Sequence, residues 1–159
     1  MSVLKDLHIL ISSYRMVRDL DRATTKICSS YGLTYPQFQV LEALLHKGNL
    51  TVGEIRDSIL SSNGTVPVII DNLEKTGMVT RAKDPLDNRR TIVSLTEKAR
   101  KIITQVWDEN EKMFTEKFSV WTEDEKREMI RLFNLYRKEH LKKGDQSWKR
   151  TDWKHSVTA

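Results

Sequence analysis

The stretch SSNGTVPVIIDNLEKTGMV, residues 61–79, places Asn, Gly, Thr and Pro just ahead of apolar residues at helical spacing. Val66, Ile69, Ile70 and Leu73 fall at i, i+3, i+4 and i+7, and Gly77 supplies a stop. Upstream, Thr51-Val52-Gly53-Glu54 has the Thr-x-x-Glu spacing of a capping box, and Val52, Ile55 and Ile59 continue it as a short helix. Two short helices joined by a tight turn are the outline of a helix-turn-helix. Met78 to Lys83 and Arg90 to Leu95 then read as two strands around the turn-rich loop Asp84-Pro85-Leu86-Asp87-Asn88-Arg89. A hairpin directly after a helix-turn-helix makes a winged helix, and the rest of the chain has to fit around that unit.

The flanks are helical. Leu7, Leu10, Ile11, Tyr14, Val17, Leu20, Ile27 and Tyr31 form one long helix closed near Gly32. Thr34-Tyr35-Pro36-Gln37 is another capping box, with proline in the first turn, where its missing N–H costs nothing. Phe38, Leu41, Leu44 and Leu45 follow, ending at Gly48. After the hairpin, Thr96 can cap a helix that buries Ile102, Ile103, Val106, Met113, Phe114 and Phe118. Thr122-Glu123-Asp124-Glu125 opens a last helix with Met129, Leu132, Phe133 and Tyr136. The expected fold is mainly α with a small β-hairpin wing, in one domain over 1–141, followed by a basic tail over 142–159 that carries Trp148 and Trp153.

In helix-turn-helix proteins the second helix enters the major groove and its first residues meet the bases. The opening stretch suits that task. Asn63 or Thr65 can cap the helix, and Gly64 lets backbone approach a phosphate. Pro67 stiffens the entry. Free N–H groups at a helix start attract phosphate oxygens, from a site that here also holds Ser62. Val66, Pro67 or Val68 can pack on a thymine methyl, while Asn72 and Lys75 lie further along and suit the DNA backbone. In the hairpin loop, Arg89 and Arg90 sit beside Asp87. An arginine at a wing tip can enter a narrow minor groove, and a neighbouring carboxylate can hold it in position. Read alone, the opening stretch is about equally a polar turn, and either wing arginine is more readily a solvated loop charge; their succession favours DNA.

Net charge is +5 at a sequence pI of about 9.3, which favours an anionic partner. The charge is uneven. Residues 126–159 hold ten Lys/Arg against four Asp/Glu, whereas residues 50–100 hold eight against seven. The tail is therefore either a solvated extension or a source of sequence-independent attraction to flanking DNA. Cys28 is the single cysteine and can make no internal disulfide, which suits the cytoplasm. No apolar run approaches ~18 residues, so no membrane span is expected. No Gly-rich phosphate loop, H-E-x-x-H or G-x-S-x-G motif is present, and His8, His46, His140 and His155 have no metal-ligand spacing. Neither an enzyme, nor a metal site, nor a cofactor is expected.

Residues from about Leu33 to Lys101 resemble the MarR family of winged-helix transcription regulators. The matching stretches are LTYPQFQVLEAL, LTVGEIRDSILSSNGTVPVIIDNLEKTGMVTR and DPLDNRRTIVSLTEKAR, the last being the most specific. The resemblance implies a DNA-binding lobe over about 34–96 and dimerisation helices over about 3–31 and 97–141. It implies a homodimer that binds double-stranded DNA at a palindromic operator, most often as a repressor, and that responds to a small molecule or to cysteine oxidation. Asn63, Thr65, Val66 and Pro67 fall on the family's recognition-helix start, and Asp87 and Arg89 on its wing. Tyr14, Arg18, Tyr35, His46 and Trp107 are candidates to line an effector pocket, and equally candidates for core or helix-face packing. LTYPQ resembles the peroxide-sensing OhrR-like branch. That branch senses through a cysteine early in the first helix, where this chain has Leu7, Ile9, Leu10 and Ile11. Cys28, beside Ile27 on the apolar face, reads as a packed thiol, with redox sensing as the alternative. A winged helix serving as a protein-interaction module is the other alternative.

Overall fold

The computed structural model describes residues 2–59 and 65–140. The elements run α1 (Ser2–Ser30), α2 (Tyr35–Lys47), β1 (Leu50–Thr51), α3 (Val52–Ser58), α4 (Val66–Lys75), β2 (Val79–Lys83), β3 (Thr91–Leu95), α5 (Glu97–Lys117), a 3-10 turn (Phe118–Val120) and α6 (Glu123–His140). Ser61, Ser62, Asn63 and Gly64, and the tail over 142–159, lie outside the described residues.

Local chemistry sets the helix ends. Thr34 and Thr51 hold extended backbone, and each accepts a bond from the third helical N–H while Gln37 or Glu54 reaches back to the cap. Thr122 and Glu125 repeat the exchange at α6, at 2.8 and 3.3 Å. These reciprocal bonds satisfy N–H groups that the helix itself leaves unpaired. α2 ends at Gly48, whose φ of 82° is a conformation that a Cβ disfavours.

The expected hairpin is present, with Val79 opposite Leu95 and Lys83 opposite Thr91. It belongs to a three-stranded antiparallel sheet in the order β1-β3-β2, because Leu50 and Thr51 pair with Val93 and Ile92. This short strand was not expected. It pins the start of α3 to the base of the wing.

One core joins α1, α2, α3, α4, α5 and the sheet. Cys28, Phe38, Val40, Leu41, Leu44, Ile55, Val66, Ile70, Leu73, Val79, Val93, Ile103 and Val106 are all buried in it. On α5 the expected Ile103 and Val106 are buried, as are Ala99, Trp107 and Asn110. Ile102, Met113, Phe114 and Phe118 are only half-buried. The outer helices are different. α6 buries none of its residues, and Leu7, Leu10, Tyr14, Leu132, Phe133 and Tyr136 all stand exposed on α1 and α6. No described helix is long and apolar enough to cross a membrane.

Candidate nucleic-acid interface

The recognition helix α4 turns one apolar stripe inward. Val66, Ile70 and Leu73 are buried, while Pro67, Val68, Asp71, Asn72, Glu74 and Lys75 stand outside. The expectation that Val66 might touch a base is corrected by this packing. Its side chain is wholly buried and cannot reach a thymine methyl, which leaves Pro67 and Val68 as the apolar groups on the outer face. Thr65 occupies the N-cap position with helical backbone (φ −98°, ψ −14°), and its hydroxyl makes no capping bond. A side-chain cap requires the extended backbone seen at Thr34 and Thr51, so of the two expected caps Thr65 does not serve, and Asn63 lies outside the described residues. Asn72 and Lys75 are exposed, as a backbone-contacting role requires.

The wing loop is built by its aspartates. Asp84 Oδ1 accepts from the Leu86 N–H at 2.9 Å, and Asp87 Oδ1 accepts from the Arg89 N–H at 3.0 Å. Both are turns that an Asp side chain forms with backbone two residues on. The Asp84 N–H donates to the Arg90 carbonyl at 3.0 Å and closes the loop. Arg89 is thereby carried outward. Its side chain is 97% exposed, with Nε 3.9 Å from Asp87 Oδ1.

Arg90 does not join it. Its guanidinium donates to Glu54 Oε1 at 3.3 Å and lies 4.0 Å from Asp84 Oδ2, so it ties the wing base to α3. Glu54 also serves the capping box of α3. Those bonds from Thr51, with Arg90 adding to them, hold its carboxyl below the usual range. Arg90, expected beside Arg89 as a DNA contact, is thus half-exposed and paired with carboxylates where Arg89 is almost wholly exposed. Sequence reasoning missed Arg81. From β2 this residue pairs with Asp71 and, at 3.1 Å, with Glu74, both on α4. The only sequence signal was an arginine four residues past the helix stop, which carries no meaning until the hairpin folds back.

The five residues expected around an effector do not come together in the groove between α1, α5 and α6. Tyr14 is exposed, with the Arg18 guanidinium 5.9 Å over its ring. Tyr35 packs on Phe38 and donates to Asp21 at 3.2 Å; burial and then Asp21 push its phenol up to about 12. His46 meets Trp107 edge-on, with ring centroids 4.5 Å apart. Of the five, only Trp107 lines the groove of about 540 Å³ between α1, α5 and α6, with Met16, Phe114, Phe118, Trp121 and Phe133 among its neighbours. Helical spacing shows which residues share a face, but not which faces enclose a space.

Cys28 is wholly buried, and burial pushes its thiol up to about 11. The thiolate is the reactive form, so a buried thiol held protonated favours a packing role over a sensing one. The redox alternative has no support from its surroundings. Among the described residues, no cluster of His, Cys, Asp or Glu could hold a metal ion.

Comparison with known proteins agrees with this geometry. The SarA/Rot transcriptional regulator family matches residues 22–106. The HTH-type transcriptional regulator MhqR of Bacillus subtilis is 31% identical over 121 residues, which span 76% of this chain and 83% of that one. A MarR family protein from Bacillus stearothermophilus superposes with a TM-score of 0.71 at 25% identity, covering 89% of this chain and 97% of its own. The organohalide-sensing regulator RdhR superposes with a TM-score of 0.77 in its ligand-free form, at 21% identity and over 92% and 89% of the two chains. Its 2,4-dichlorophenol-bound form superposes at 0.73, over 86% and 81%.

Proposed function

The chain belongs to the MarR family of winged helix-turn-helix transcription regulators and is a DNA-binding regulator; on that premise we propose that it is a homodimeric repressor of a palindromic operator, released by a small apolar effector. The observation that carries the reading is the pairing of an exposed outer face on α4 with an exposed arginine at the wing tip. α4 exposes Pro67, Val68, Asn72 and Lys75, which suits the major groove, and the exposure of Arg89 suits the adjacent minor groove. Ser62, Asn63, Gly64 and Thr65 precede that face in sequence, and we assign to them the approach to bases and phosphates.

Dimerisation is supported by the unpartnered apolar faces of α1 and α6. Leu4 and Leu10 are 73% and 65% exposed, and Phe133 and Tyr136 50% and 62%. Exposed apolar patches on that scale mark association surfaces. Symmetry then requires two equivalent half-sites about 10 base pairs apart. The effector class is supported by the apolar groove beside these helices and by the dichlorophenol held by RdhR. Footprinting of the full-length chain on its own upstream DNA tests the whole. Protection of two symmetric half-sites, relieved by a chlorinated phenol, is the expected result. A stable monomer that protects such a site equally well would defeat the dimeric reading.

A further inference from the structure

The geometry points to Arg81 as the residue that locks the wing to the recognition helix and so sets the distance between their DNA contacts. This rests on the reading of α4 and the wing as the DNA-binding surface. β1 pairs only with β3, at Val93 and Ile92, so β2 is an edge strand of the sheet, and its position against α4 depends on side-chain contacts. Here the anchor is lateral. Arg81 stands in the middle of β2, opposite Val93 of β3. Its guanidinium reaches two carboxylates one helical turn apart, Asp71 and Glu74, through separate nitrogens. The guanidinium is hydrogen-bonded to Asp71 and drawn by the charge of Glu74 beside its Nε, which makes no hydrogen bond of its own; a lysine's point charge cannot reproduce that directed arrangement. Its side chain is only 28% exposed, against 97% for Arg89, so it is spent on protein and not offered to phosphate.

The arrangement also explains an oddity of charge. Two acidic residues on a helix that approaches DNA ought to weaken binding. Removing them should therefore raise affinity if charge were their whole effect. If they serve as the receiving end of a clamp, removing them should lower it. The two accounts differ in sign.

The experiment uses full-length protein, the duplex that it selects from a random pool, and a scrambled duplex of equal composition. Asp71→Asn with Glu74→Gln is expected to weaken binding of the selected duplex by about tenfold, the worth of one well-placed base contact, and that of the scrambled duplex by less than about twofold. Arg81→Ala should match it, with the salt dependence of binding unchanged, and Arg81→Lys should fall between. Thermal unfolding of each variant checks that the fold is kept; these pairs are partly solvated, and Arg81→Lys is the mildest change. A rise in affinity for both duplexes on removing the carboxylates would overturn the clamp. So would a salt slope lowered by about one unit in Arg81→Ala, the mark of a phosphate contact. Arg89→Ala separates the two levels of inference. If it weakens binding while the clamp variants do not, only the clamp fails. If it too has no effect, the assignment of the wing as a DNA contact fails with it.

Discussion

Glu42 lies half-buried on α2, and burial is the one cause that pushes its carboxyl up from 4.5 to about 7. The sign of the consequence follows from linkage. Its folded-state affinity for a proton exceeds that of the unfolded chain. The stability it contributes is therefore complete below about pH 4, declines as pH rises to about 7, and is lost above that. A gap of 7 − 4.5, about 2.5 units at about 1.4 kcal/mol each, amounts to at most roughly 3.5 kcal/mol, reduced by the solvent that reaches the half-buried carboxyl. Glu42→Gln keeps the shape and removes the charge. A buried amide without a partner costs about 1 kcal/mol, so the variant is expected to be about 2 kcal/mol more stable than the parent at pH 8. At pH 4 it should be equal or slightly less stable. Thermal unfolding would register the pH 8 difference as a rise in Tm of about 4–8 °C for a chain of this size. Tyr35 and Cys28, at about 12 and 11, stay protonated across the window, and the carboxyls of Glu54, Glu123, Glu125 and Glu128, held below the usual range, titrate alike in both proteins, so the difference between the two profiles isolates Glu42. Parallel stability profiles for the two proteins between pH 4 and 8 would refute the reasoning. They would mean that the carboxylate is solvated or finds a cation in the assembled protein.

Arg89→Ala should weaken binding across many DNA sequences and lower the salt slope by about one unit, measured by titration over a range of salt concentrations. Leu10→Glu with Phe133→Glu should shift sedimentation from dimer to monomer and abolish protection of a two-part site, since a charge in an apolar contact is costly to bury. Cys28→Ser should leave DNA binding indifferent to peroxide in both parent and variant. A loss on oxidation seen only in the parent would restore a sensing role to the thiol.

The helices and the wing were legible because each is written locally. Thr34, Thr51 and Thr122 announce helix starts through a spacing of three to Gln or Glu, and the observed bonds follow that spacing. The stripe Val66, Ile70 and Leu73 marks the buried side of α4 unambiguously. It also held a warning against Val66 as a DNA contact, because a residue that keeps the period of the core belongs to the core. β1 was not legible. Two residues carry no period, and Leu50 and Thr51 become a strand only because β3 arrives beside them.

The site was legible to the extent that its residues act through exposure and was obscure wherever they act through pairing. Arg89 and Arg90 are neighbours in sequence with identical chemistry. One points to solvent and the other across to Glu54, 36 positions earlier. A spacing of that length is invisible to any local pattern. The same holds for Arg81 with Asp71 and Glu74, where the hairpin brings a strand back onto the helix that preceded it. Three arginines in one short segment thus divide into one exposed group, Arg89, and two paired with carboxylates, Arg81 and Arg90. A count of basic residues would assign all three to the nucleic acid. The near-balance of eight basic and seven acidic residues over 50–100 is consistent with that division. The lobe does not draw DNA by bulk charge, so its affinity must depend on where a few cations are held, and the acidic residues are the groups that hold them.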